Sequence, residues 1–250
     1  MNRFRQVVHY AWKQSKDITS QTQKSRLALF FDMVRCYQKY RMWTNQYIKE
    51  KFYEKNQDER ESIGADYLEK GKIRDAWQKD FRENREFYIK YGNVKYERAS
   101  LRQKRNEAYT KRYHAGEGLF VEHDVNISRQ HYLEGTITIG KHVLFAKHVF
   151  IDYSGEVIIH DGVKMANGVI VESHHRDLEA YKEGKDVNIP TRIEIGENAY
   201  IGTRAIILDS CNYIGKFARI GAGAVVTKDI PDYAVAVGVP AKVIKILPHD

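Results

Sequence analysis

Ile195-Gly196-Glu197-Asn198-Ala199-Tyr200-Ile201-Gly202-Thr203-Arg204-Ala205-Ile206-Ile207 repeats an isoleucine at every sixth residue, and that interval decides the fold. Toward the N-terminus, Val121, Ile127, Leu133, Ile139, Phe145 and Ile151 fall on the same interval without a break. Ile159, Met165 and Val171 follow after a slip of two residues. Toward the C-terminus one extra residue precedes Ile214, Ile220 and Val226. A period of six matches neither the 3.6 of a helix nor the 2 of a half-buried strand, so it marks a repeat architecture. Each six reads as an inward aliphatic side chain, then Gly, Ala or a polar residue, then a turn in which Gly or Asn accepts positive φ. Ile139-Gly140, Ile195-Gly196, Ile201-Gly202, Ile214-Gly215 and Ile220-Gly221 share this opening. Three sixes close a triangular coil, so these fifteen positions predict about five coils of a parallel β-helix.

Two phrases near the C-terminus are more specific. Ile220-Gly221-Ala222-Gly223-Ala224-Val225-Val226-Thr227-Lys228-Asp229-Ile230-Pro231 and Gly238-Val239-Pro240-Ala241-Lys242-Val243-Ile244-Lys245 resemble the closing phrase and tail of the hexapeptide-repeat acyltransferases, in the galactoside and maltose O-acetyltransferase branch. The resemblance covers roughly residues 117 to 247. It implies an α+β chain in which a helical N-terminal region precedes a β-helix wound left-handed, against the usual crossover rule.

The repeat is interrupted between Val171 and Ile193, where Glu172-Ser173-His174-His175-Arg176-Asp177-Leu178 opens a charged loop that ends at Ile189-Pro190. A solenoid accepts insertions at corners, where no inward side chain is displaced, so this loop projects from the coil. By resemblance His174 stands where the family holds its general base. A neutral imidazole suits proton removal from an acceptor hydroxyl as it attacks a thioester. His175 is the competing histidine. On the donor side the resemblance places Tyr200, Gly202, Thr203, Ala222, Thr227 and Lys228 along a pantetheine arm. Lys242 and Lys245 fall where the family carries two arginines near nucleotide phosphates; lysine keeps the charge and loses the bidentate fork. On the acceptor side Asp152 matches an aspartate that holds a sugar hydroxyl, and Glu179 or Glu183 could supply the loop acid, with His175 beside them. The turn Leu208-Asp209-Ser210-Cys211-Asn212-Tyr213 is one residue longer than its counterparts and should bulge its corner. No metal is expected: His142 and His148, six apart, lie on successive faces of a coil, and with His160 and His174 they make no ligand set.

The front half reads as helical, with no proline from Arg3 to His114 and glycine only at Gly64, Gly71 and Gly92. Phe30, Val34, Tyr37 and Arg41 form one apolar-spaced line, and Trp77, Phe81 and Phe87-Tyr88 suggest another. Helices should break near Thr44-Asn45, Asn56-Gln57-Asp58, Gly71 and Gly92-Asn93, with Asp58 or Ser62 as caps. Residues 1–115 carry 27 Lys and Arg against 15 Asp and Glu, a net of +12, while 116–250 carry −4. That division predicts a basic helical region over 1–115 and the β-helix over 116–250. A basic surface suits an anionic partner or a solvated helical face equally. No apolar run approaches twenty residues, and Cys36 and Cys211 have no disulfide or metal spacing, which fits a reducing cytoplasm.

The family resemblance implies a homotrimer that takes acetyl-CoA and transfers the acetyl group to a sugar hydroxyl, within surface-polysaccharide or lipopolysaccharide assembly. N-acetylation of an amino sugar, or a non-catalytic trimeric scaffold holding an anionic partner, are the alternatives; the sequence separates neither.

Overall fold

The computed structural model describes residues 78–129, 133–183 and 187–248, with 9, 11–13, 15–16, 25–31, 34, 72 and 76. The chain divides into two compact units, Met1–Ala76 and Trp77–Asp250. In the first, helical residues bury Ala11 and Leu29. The Arg26 guanidinium sits 4.0 Å over the Trp12 ring and donates to the Trp12 carbonyl at 3.1 Å. Phe30 and Val34 are helical, as their spacing predicts, while Tyr37, Arg41, Trp77, Asp58, Ser62 and the breaks before Gly92 lie outside the described residues. Among the described residues no helix is long and apolar enough to cross a membrane.

The second unit is a left-handed parallel β-helix of about six turns. One sheet stacks Phe120–Val121, Leu144–Phe145, Lys164–Met165, Tyr200–Ile201, Arg219–Ile220 and Ala234–Val237. The second stacks Asn126–Ser128, Phe150–Asp152, Ile170–Val171, Ile206–Ile207 and Val225–Val226. The third stacks Thr136–Ile139, Glu156–Ile159, Arg192–Ile195 and Tyr213–Ile214, with Ile230 bridged above. Pairing is parallel and in register, so Val121, Phe145 and Met165 stand above one another, as do Ile127, Ile151 and Val171. Fourteen of the fifteen periodic positions are buried to 3% exposure or less. At about 1.5–3 kcal/mol per buried aliphatic side chain, this column is the main favourable term of the fold.

Leu133 is the exception: it is half-buried and takes no part in the core. The step from Ile127 to Ile139 is twelve residues, six longer than a plain corner, so the count passes through it in phase. The glycines after each isoleucine are packed against the coil above, while positive φ falls in the following turn as expected, at Asn198, Gly162, Gly168 and Gly223 among others. At Gly202 a Cβ would sit 2.6 Å from the Ile220 carbonyl oxygen, and at Gly215 2.2 Å from the Asp232 nitrogen, so the next coil leaves no room for one. Positive φ occurs two residues later, where His142, Asn198, Arg204 and Phe217 adopt 52–56°.

Both ends of the stack are closed. At the start, the helix Ala99–Tyr113 lies against the unpaired edge of the first coil and satisfies its backbone. Tyr109 Oη donates to the Val125 carbonyl at 2.6 Å, Tyr113 Oη to that of Ile127 at 2.7 Å, and the Val121 N–H donates to Asn106 at 3.0 Å. Burial raises the pKa of both phenols, so they remain donors. Arg105, fully buried, donates to the carbonyls of Tyr91, Asn93 and Val121 and to Glu97 at 3.0 Å. The helix therefore belongs with the coil, and the sequence boundary near 115 passes inside one compact unit. At the far end Lys242–Ile246 turns back antiparallel on Ala234–Val237.

Arg105→Ala would strand the buried Val121 carbonyl, the part-buried carbonyls of Tyr91 and Asn93, and the Glu97 carboxylate. It should destabilise the coil by about 3–5 kcal/mol, read as a lower midpoint in chemical denaturation.

Candidate active site

The residues in excess of the six-residue step are not spread evenly. On the two edges that enter the first and second sheets every step is six, from Val121 to Ile127, Ile139 to Phe145, and so on upward. On the edge between the second and third sheets the steps are twelve (Ile127 to Ile139), eight (Ile151 to Ile159), twenty-four (Val171 to Ile195) and seven (Ile207 to Ile214). All irregular chain is collected on one edge, and His174 stands on it.

His174 opens the short strand His174–Arg176, which pairs antiparallel with Asn188–Pro190 so that Pro190 faces His174 and Ile189 faces His175. The hairpin's tip is the helix Leu178–Lys182, capped by Asp177, which accepts from the Glu179 and Ala180 N–H groups at 3.0 Å. This fixes the exit of the loop and leaves the histidine ring at its base, 11% exposed.

The decisive contact comes from one coil below. Asp152 is fully buried, and its carboxylate accepts from His174 Nδ1 at 2.5 Å, from Ser154 Oγ at 2.5 Å, from the Ser154 N–H at 3.0 Å and from the Ser173 N–H at 3.3 Å. Four donors offset the cost of taking that charge out of water. A carboxylate beside Nδ1 fixes the proton there and leaves Nε2 as the basic nitrogen. Asp152, expected by resemblance to hold a sugar hydroxyl, is thus buried in one chain with its carboxylate on the histidine ring. The two-residue slip after Ile151 makes this possible, because the longer corner turns Ser154 back onto the carboxylate.

Glu172 completes the cluster and had no signal in the repeat. One oxygen of it lies within 4.8 Å of donor atoms of Asp152 and His174. Burial, then the charge of Asp152, raises its pKa, against the opposing pull of His174. His175 faces away, 2.7 Å from Asp209 through Nδ1. That contact gives the longer turn after Ile207 a physical account: the extra residue carries Asp209 down to the loop, while Asp229 accepts from the Asn212 and Tyr213 N–H groups to hold the bulge. Glu183 ends the loop helix, exposed. Cys211 is buried in the same turn, which pushes its thiol up to about 12.

Thr227 and Lys228 lie on the same edge above His174; Ser210 Oγ of the intervening coil donates to the Thr227 carbonyl at 3.1 Å. Gly202, Thr203 and Ala222 lie on a neighbouring edge, with Thr203 and Ala222 exposed. Tyr200 is beside them on the first sheet, in register with Arg219. Lys242 and Lys245 project from the terminal strand, whose approach is fixed by the Ala241 N–H donating to the Val225 carbonyl at 2.8 Å. Within one chain the fold thus gathers the residues expected on the donor side into two rows, one of them on the edge of His174. A groove of about 390 Å³ lies on the edge of His174, lined by Glu134, Thr136, Ser154, Glu156, Pro190 and Thr191. It runs between the first and third insertions, over the shorter corner that holds Ser154.

No family model matches the sequence. The repeat nevertheless has named relatives. It is 33% identical over 138 residues to a galactoside O-acetyltransferase of Escherichia coli (strain K12), covering 55% of this chain and 56% of that protein. It is 48% identical over 52 residues to a dTDP-3-amino-3,6-dideoxy-alpha-D-galactopyranose 3-N-acetyltransferase of Aneurinibacillus thermoaerophilus, covering 21% of this chain and 27% of that one. The chain spans about half the length of the first of these. Among solved structures, a maltose O-acetyltransferase from Clostridium difficile 630 superposes with a TM-score of 0.55 at 24% identity, over 70% of this chain and 89% of that one. The likeness read from the repeat is thus found in both sequence and fold.

The raised pKa of Glu172 has a stability consequence with a definite sign. The folded chain holds that proton more tightly than the unfolded chain, so the contribution is complete below the ordinary glutamate range and is lost as pH rises through the raised value. Glu172→Gln should therefore melt higher than the parent at pH 8, with the difference shrinking toward pH 4 in thermal scans.

Proposed function

We propose that the chain transfers an acetyl group from acetyl-CoA to a sugar hydroxyl, with His174 as general base. The single observation that carries this reading is the buried Asp152 carboxylate on His174 Nδ1 at 2.5 Å. A histidine held this way is built to take up a proton at Nε2 and return it.

In a direct transfer the acceptor hydroxyl gives its proton to Nε2 as its oxygen bonds to the thioester carbonyl carbon. The imidazolium so formed is stabilised by Asp152. When the tetrahedral intermediate collapses, the carbon–sulfur bond breaks and the thiolate leaves with the proton from Nε2. The groove between the two insertions takes the acceptor. Thr227 and Lys228, with Thr203, Ala222 and the Lys242 and Lys245 pair, take CoA, the lysines meeting its phosphates. Because these rows occupy two edges of one chain, we read the complete site as shared between neighbouring copies of a homotrimer. Surface-polysaccharide or lipopolysaccharide modification in the cytoplasm is the setting that suits such an acceptor. A basic helical leader then precedes a catalytic coil to which the helix Ala99–Tyr113 is joined.

A second reading, transfer to an amino sugar, is favoured by the carboxylates on the groove. Glu134 lines it, and Glu156 does so while sharing Arg192 at 3.3 Å. An ammonium group would be held by such a lining, and His174 would take its proton in the same way. Assay against matched hydroxyl and amino sugars separates the two.

His174→Ala should lower kcat by roughly 10²–10⁴-fold while calorimetric binding of CoA is unchanged; full turnover in that variant would reject the base. Asp152→Asn, which keeps the shape and loses the charge, should lower kcat with little change in KM. Replacing Lys228 and Lys242 by Ala should weaken CoA by about tenfold each, and no CoA binding by the parent protein would reject the donor.

A further inference from the structure

On the edge between the first and second sheets, far down the stack, lies a cluster that acetyl transfer does not use. His123 and Asp124 form the corner of the first coil, and His148 stands on the same corner of the second, its N–H donating to the His123 carbonyl at 3.2 Å. Asp124 Oδ2 is 2.7 Å from His123 Nδ1 and 3.5 Å from His148 Nδ1. One donor atom of each residue lies within 4.8 Å of the other two. The carboxylate is held from behind: Asp124 Oδ1 accepts from Tyr88 Oη at 3.3 Å, and the Asp124 N–H donates to the Gly92 carbonyl at 2.8 Å. Glu97 accepts from the His123 N–H at 3.1 Å and adds a second negative charge nearby. The cluster is open on one side, with the His148 side chain 63% exposed and that of His123 14% exposed.

We propose that His123, Asp124 and His148 bind a divalent transition metal, zinc being the best fit, with water in the fourth position. Two imidazoles and one carboxylate form a borderline donor set, suited to zinc and its neighbours rather than to calcium or magnesium. Zinc bonds of about 2.0–2.2 Å put tetrahedral ligand atoms about 3.3–3.6 Å apart. The His148 to Asp124 separation already has that value, and His123 reaches it by a small side-chain rotation. Tyr88 and Gly92 supply the outer contacts that hold a ligating carboxylate in place. Such an ion would tie the first coil to the second and both to the segment that carries Tyr88, so it acts on stability rather than on transfer. Sequence spacing hid this set. The first coil has six extra residues, which puts His123 and His148 twenty-five apart instead of near the eighteen of a plain coil.

The test uses the full chain, free of any tag and stripped with chelator, titrated with zinc chloride in a calorimeter. A second cluster, Asp152, Glu172 and His174, also places donor atoms within 4.8 Å, so His174→Ala is run in parallel. One zinc per chain is expected at micromolar or tighter affinity, weakened by roughly 100-fold in His148→Ala and unchanged in His174→Ala. A zinc-dependent rise in Tm should accompany binding in the parent and be absent from His148→Ala. His148 is exposed, so the variant should fold, and an unchanged metal-free Tm verifies that. Cobalt should show the intense visible bands of a tetrahedral site in the parent and lose them in His148→Ala. No binding at about 0.1 mM zinc, binding that survives His148→Ala, or binding lost in His174→Ala would each overturn the proposal.

Discussion

Everything in the second unit depends on keeping one column of aliphatic side chains in phase. Stacked coils exchange parallel backbone hydrogen bonds, and a shift of one residue in any strand would turn its inward side chain out. Val121, Phe145, Met165, Ile201 and Ile220 can therefore sit over one another only if every departure from the six-residue step is confined to a corner. The chain obeys this strictly, and it puts the departures on one edge. Chemistry follows from that choice. Slack at the corner after Ile151 brings Ser154 round to the Asp152 carboxylate, and slack after Val171 raises His174 above it.

A coil built this way has two raw ends, and the protein closes them by different means. The terminal strand Lys242–Ile246 reverses direction and covers the upper edge with backbone. At the lower edge the helix Ala99–Tyr113 covers the strand with side chains, two tyrosines and an arginine reaching carbonyls of the first coil. Its own face is polar for that reason. The buried arginine is stabilised by four acceptors rather than by one ion pair, which is what a cation needs at zero exposure.

The architecture was legible from the isoleucine spacing because a solenoid core is a one-dimensional pattern, and His174 stood out as the candidate base because it sits at the break in that pattern. What stayed hidden depends on contacts between coils. Leu133 kept the count while lying in an insertion, since periodicity cannot distinguish a strand from a loop of six residues. Asp152 read as a ligand residue because its burial is fixed by Ser154 and by the loop above, neither of which the spacing reports. The pairing of His175 with Asp209 and the approach of Glu172 arise from the vertical stacking of corners, which a linear reading places twenty to forty residues apart. The role of glycine after each isoleucine was hidden for the same reason: its neighbour is the next coil.

Collecting all surplus chain on one edge separates two kinds of variation. The two regular edges have no spare residue, and Gly202 and Gly215 have no space for a methyl group, so change there is penalised by the stack itself. The third edge has already absorbed insertions of four different lengths without moving a single inward side chain. A graft placed beyond Arg176 that keeps Asn188–Pro190 paired with His174–Arg176 would leave the inward side chains where they are. Loops of new sequence could thus be exchanged on this edge while the contact between Asp152 and His174 stays as it stands.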